Sequence, residues 1–167
     1  MSSKVSDEID QEIIGYCFYW EQQLSKYKEQ LLRIIEEEKV FTQNARKKMK
    51  DWQEHLKLDA DICEIFYINF ANELYKKNQI NLALLMFDEV INMQNSLVPI
   101  AYETKGYILY LEGEKDKGIN EIKNALRCYN ELNSNTKKAE ELDKILRELK
   151  PVNHFLDNLF RSLFIWK

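Results

Sequence analysis

The sequence predicts an all-α protein, and three observations carry that expectation. Apolar residues recur at spacings of three and four along most of the chain, which marks amphipathic helices rather than strands. Only four Gly and two Pro occur in 167 residues, too few for the tight turns of a β-sandwich or for a Gly-rich nucleotide loop. Hydrophobic residues make up 45% and charged residues 31%, enough to fill a core and cover it, which excludes a wholly disordered chain.

Residues 1–8 are polar and are expected to be a disordered N-terminus, with Ser6 the candidate N-cap of the helix behind it. Asp7 and Glu8 then sit in its first turn, where the helix dipole favours them. From there Ile9, Ile13, Tyr16, Trp20, Leu24, Tyr27, Leu31 and Ile34 form one stripe of near-heptad period on a helix of roughly 30 residues. Glu38 breaks the stripe. It resumes at Phe41, Ala45, Met49, Trp52 and Leu56, as a continuation or as a second helix capped by Thr42 or Asn44. Residues 9–58 therefore read as a long coiled-coil-like extension. A stripe about 45 Å long exceeds what a short helical stack covers. Trp20, Leu24, Tyr27, Leu31 and Ile34 are accordingly read as an assembly stripe, met by the following helix folded back or by a second copy. The period near 3.5 favours the second copy, a homodimer.

Asp61 opens a capping box with Glu64, ahead of a helix from Ile62 to Lys76 that is apolar on more than one face. Polar turns at 77–81, 95–99, 112–114 and 133–135 separate helices ending near Met93, Leu111 and Leu132. Ala139, Leu142, Leu146 and Leu149 mark a helix over 137–149, which Pro151 punctuates. The last segment, 153–166, carries Phe155, Leu156, Leu159, Phe160, Leu163 and Phe164 at helical spacing.

Charge and chemistry narrow the function class. A net charge of −4 argues against affinity for phosphate backbones, and Asp51 and Glu54 follow the basic run 46–50 at once, so that run reads as a solvated face. Cys17, Cys63 and Cys128 are distant and odd in number, with no zinc-like spacing to His55 or His154. They are expected to be packed thiols in a reducing, cytoplasmic compartment. The polar, acidic start is not expected to act as a signal peptide, no apolar run reaches membrane length, and membrane contact through the 153–166 segment is disfavoured because Arg161 and Lys167 are its only basic groups. Gly113 and Gly118 have P-loop spacing, but Ile119 and Asn120 stand where Lys and Ser/Thr would grip phosphates; the glycines read as a turn and a close helix contact. No nucleophile, base and orienter set assembles from this sequence. The expectation is a non-enzyme with no metal and no cofactor.

One internal repeat is present. Ala71, Ala83 and Phe87 are matched by Gly106, Gly118 and Ile122, each displaced by 35 residues. Small residues at the first two positions let two helices approach closely, and the bulky third fills the gap between them. This pattern resembles the tetratricopeptide repeat. A first unit over 64–97 places Tyr67, Phe70, Ala71, Leu74, Ala83, Phe87 and Val90 at signature positions; a second over 99–132 places Tyr102, Gly106, Leu109, Gly118, Ile122 and Ala125. Asn95 and Asn130 stand where the family's Pro is usual, and Lys105 where Leu is common.

The resemblance implies a helical domain over 59–167 in which 137–149 and 153–166 cap two repeats. It also implies a concave groove lined by Ile65, Ile68, Asn72, Tyr75 and Lys76 from the first unit and by Ile100, Glu103, Tyr107, Tyr110 and Leu111 from the second. Of the family's carboxylate clamp only Asn72 is retained, so the expected ligand is an amphipathic helix or apolar peptide. The implied function is a non-catalytic protein–protein interaction module, adaptor or chaperone-like. The alternative is a self-assembling structural subunit, dimerising through its N-terminal helix with the groove filled by its own helices.

Overall fold

Seven helices and no strand occur among the described residues: α1 (Ser2–Glu38), α2 (Gln43–His55), α3 (Ala60–Lys76), α4 (Ile80–Met93), α5 (Val98–Leu111), α6 (Lys115–Glu131) and α7 (Thr136–Glu148). The computed structural model describes residues 2–38, 41–132 and 136–149, with side chains for 19–38, 41–132 and 137–149. The expected last helix over 153–166, His154 and the side chain of Cys17 lie outside the described residues. Two compact units divide the chain, one ending at Cys63 and one beginning at Glu64.

In the first unit, α1 begins at Ser2, inside the stretch expected to be disordered and ahead of Ser6. No Gly or Pro lies before Gly15 to stop the helix, so nothing local ends it at Ser6. A new helix does start after Glu38, and α2 packs against α1. Thr42 is its cap: its backbone is extended (φ −74°, ψ 170°) and its Oγ1 accepts a hydrogen bond from the Ala45 amide at 3.1 Å. Glu38, the residue that interrupts the stripe, organises this junction. Its carboxylate pairs with Lys48 Nζ at 2.8 Å and accepts from Asn44 Nδ2 at 3.1 Å and from the Thr42 hydroxyl. The hydrogen bonds from Lys48 and Thr42 hold its pKa below the usual carboxylate value. Tyr27, Leu31 and Ile34 of α1 are buried, as are Phe41, Ala45, Met49 and Leu56.

The second unit is built on a repeated turn. After α3, Asn78 takes a left-handed conformation (φ 59°); its amide donates to Tyr75 O and the next, Gln79, to Leu74 O, both at 2.9 Å. After α5, Gly113 does the same (φ 93°), its amide donating to Tyr110 O at 3.2 Å and that of Glu114 to Leu109 O at 2.9 Å. This Schellman geometry satisfies carbonyls that a helix end leaves open. Every atom pair in the second turn is the first displaced by 35 residues, and the helices that follow start at Ile80 and Lys115, again 35 apart.

The seam between α5 and α6 follows the same displacement. A Cβ on Gly118 would lie 2.6 Å from Gly106 O and 2.7 Å from Tyr110 N; one on Gly106 would lie 2.9 Å from Gly118 O and 2.7 Å from Ile122 Cγ1. Two backbones meet there, and only glycine fits. Ala71, Ala83, Phe87 and Ile122 are all fully buried. α5 is buried on nearly every side, and α4 and α6 both pack on it. Lys105 bridges the neighbours of α5 by pairing with Asp88 of α4 at 2.6 Å and Glu121 of α6 at 2.8 Å. Burial alone would lower its pKa; the hydrogen bonds to both carboxylates outweigh that and raise it.

Candidate functional site

The expected groove positions separate into two groups. On α3, Ile65 is 52% exposed, and Ile68, Asn72 and Tyr75 are half-buried. On α5, Ile100 is 39% exposed, at the position 35 residues after Ile65. The rest of that α5 set is not open. Glu103, Tyr107 and Tyr110 are buried, the carboxylate residue at only 7% exposure, which corrects the expectation that they line an accessible groove. The cause is α7. Its Ala139 and Leu142, with Leu149 just past its end, share one core cluster with Tyr107, Tyr110, Ile122 and Tyr129.

A buried carboxylate needs partners, and Glu103 has them. Lys138 Nζ of α7 pairs with its Oε1 at 2.8 Å, the Tyr129 hydroxyl of α6 donates to its Oε2 at 3.2 Å, and Tyr107 hydrogen-bonds it as well. Burial first, and the Glu103 charge second, push the Tyr107 and Tyr129 phenols well above their ordinary value, so both remain neutral. Sequence reasoning missed Lys138 and Tyr129. One signal was available: the 35-residue displacement that leads from Ile68 to Glu103 leads next to Lys138.

The assembly stripe is also divided. Tyr27, Leu31 and Ile34 are buried within the single chain, so they offer no free face to a second copy; Trp20 and Leu24 are half-buried. The reading of those three as dimer contacts is corrected by the packing of α2 on α1, the folded-back arrangement.

Neither described thiol is poised for chemistry. Cys63 is buried, and that burial, against an opposing hydrogen bond from Tyr27, pushes its pKa up to about 11. Cys128 is half-buried and also raised, chiefly by burial. A shallow pocket of about 350 Å³ on α2 is lined by Lys48, Asp51, Trp52 and His55, with the last two rings edge-on at 5.5 Å. Among the described residues no three His, Cys, Asp or Glu side chains gather as metal ligands, and no helix is long and apolar enough to cross a membrane. Gly113 and Gly118 have the roles of turn and close contact. Comparison with family models, curated proteins and solved structures returns no match.

Proposed function

We propose that the chain is a non-catalytic protein–protein interaction module made of tetratricopeptide-like hairpins, and that it binds an apolar peptide or amphipathic helix. What supports the reading is one observation. Ile65 and Ile100, the same position in two copies of the repeat, are both large apolar side chains left exposed, while nearly all their apolar neighbours on these helices are buried or half-buried. Exposed apolar groups at a repeated register suit an extended or helical ligand that meets successive repeats. Ile68, Asn72 and Tyr75 complete the surface, and the buried Glu103, Tyr107 and Tyr110 do not belong to it.

A photoreactive benzoylphenylalanine placed at Ile65 or Ile100 in cells tests this. Adducts with a second protein are expected at both positions and not at exposed Glu112 on the α5–α6 turn. Adducts that are only intramolecular at both positions would contradict the reading.

The rival reading, self-assembly, draws on helix length. The 37 residues of α1 span about 55 Å and the 13 of α2 about 20 Å, so α2 covers less than half of its partner. Light scattering at micromolar concentration separates the two; a dimeric mass favours assembly through the N-terminal part of α1.

A further inference from the structure

Ile65 and Ile100 have a companion on α6. Among the described residues the second unit exposes three large apolar side chains, and the third is Leu132, at 53%. Leu132 closes α6, and the seam with α5 fixes which end of that hairpin it occupies. Gly106 faces Ile122, and Glu103 accepts from Tyr129 at 3.2 Å. One turn further out, Ile100 and Leu132 therefore emerge together, where α5 begins and α6 stops.

The exposed residues near these three are almost free of charge. Residues 65–72 and 90–102 contain no Asp, Glu, Lys or Arg, in a chain that is 31% charged. Besides the two isoleucines, the exposed side chains of these stretches are Asn69, Asn92, Gln94, Asn95 and Ser96. Next to Leu132, Asn130 is exposed and Glu131 turns back to Arg127 at 3.9 Å. At the opposite end of the hairpin, residues 112–117 carry a charge at five of six positions. Apolar anchors in a charge-depleted surround have the composition of an interface core rather than of free surface.

We propose that this surface takes an extended, uncharged segment of a partner protein and not an amphipathic helix. The inference rests on the reading of the isoleucine pair as a protein-binding surface and decides the form of its ligand. Side-chain amides both donate and accept hydrogen bonds. An extended segment brings backbone N–H and C=O groups that have no partners of their own, whereas a helix has already paired most of its own. The charged outer face usual on an amphipathic helix would also find few counter-charges here. Alternate side chains of an extended segment project to one side, so it sets apolar groups on Ile100 and Leu132 in turn.

Panning a phage-displayed library of random peptides against the full chain tests this, with peptides about 16 residues long so that a helix is within reach. Enriched sequences are expected to alternate apolar with uncharged polar residues. The most enriched one, made as a synthetic peptide, should show strong sequential Hα–HN transferred Overhauser effects when bound, the mark of an extended backbone. It should bind Leu132→Asp at least roughly tenfold more weakly than the wild-type chain. Should that variant lose its helical circular dichroism, Ile100→Asn decides, with the same loss expected. Apolar residues at helical spacing, or HN–HN effects in the bound peptide, would overturn the extended form while leaving the protein-binding surface in place. Charged peptides, binding that both variants retain, or no enrichment would overturn the proposal outright. The cross-links at Ile65 and Ile100 in cells decide the broader reading separately.

Discussion

The turn after α3 and the turn after α5 have one geometry in different residues. The left-handed turn residue is Asn78 in one and Gly113 in the other, with the same pair of amide–carbonyl bonds around it. The small residues at the repeated positions are Ala71 and Ala83, both fully buried, in the first, and Gly106 and Gly118, which meet in the α5–α6 seam, in the second. Gly106 and Gly118 bring two backbones to a separation that admits no Cβ, whereas the first pair carries one at each position. The second hairpin is therefore the tighter and the less tolerant copy. It also holds titratable groups where the first has none: Tyr107 and Tyr129 correspond to Asn72 and Gln94. One turn geometry thus follows both α5, a helix buried on nearly every side, and α3, which leaves Ile65 exposed.

The harshest way to break this comparison is charge in the seam. Gly106→Arg forces a guanidinium between two backbones and is expected to unfold the second unit, at a cost above about 4 kcal/mol, read as lost helical circular dichroism. Ala71→Arg should do the same in the first copy. Gly118→Ala is the sharper test, because its Cβ would press on backbone atoms that cannot rotate away. It should cost about 2 kcal/mol in urea unfolding, with overpacking outweighing the helix-propensity gain.

Particular residues separate what was legible in the sequence from what was not. Gly118 was legible as a close helix contact and Gly113 as a turn, because small residues and breakers have few other uses inside helices. Thr42 was legible as one of two candidate caps. What stayed hidden depends on long-range packing. Glu103 reads as a polar surface residue until α7 is placed over it, and Lys105 reads as a mismatch until Asp88 and Glu121 are brought to either side. Likewise the stripe of α1 states that something must cover Tyr27, Leu31 and Ile34, but its period does not choose between α2 and another chain.

Alkaline pH separates the two hairpins by their tyrosines. Both phenol pKa values lie above the unfolded value of about 10, so the folded chain keeps protons that the unfolded chain releases. Their contribution is complete below about pH 10 and is lost as pH rises towards the folded values. Exchange protection of α5 and α6 is therefore expected to fall with rising pH in that range, and less so in a variant with Tyr107→Phe and Tyr129→Phe.

Smaller effects test the turns. Gly113→Ala puts a side chain where φ is 93° and is expected to cost about 1 kcal/mol in thermal or urea unfolding. Asn78→Gly should change stability by only a few tenths of a kcal/mol, since asparagine already tolerates the left-handed region.

The central claim is that the two hairpins are copies of one unit. It is tested most directly by residue-resolved amide exchange in solution NMR of the full chain. Gln79 and Glu114 donate the equivalent bonds of the two turns, to Leu74 O and Leu109 O, each at 2.9 Å. Both amides are expected to be protected, with Asn78 and Gly113 both showing positive φ in their couplings. An unprotected Gln79 amide beside a protected Glu114, or a negative φ at Asn78, would contradict it.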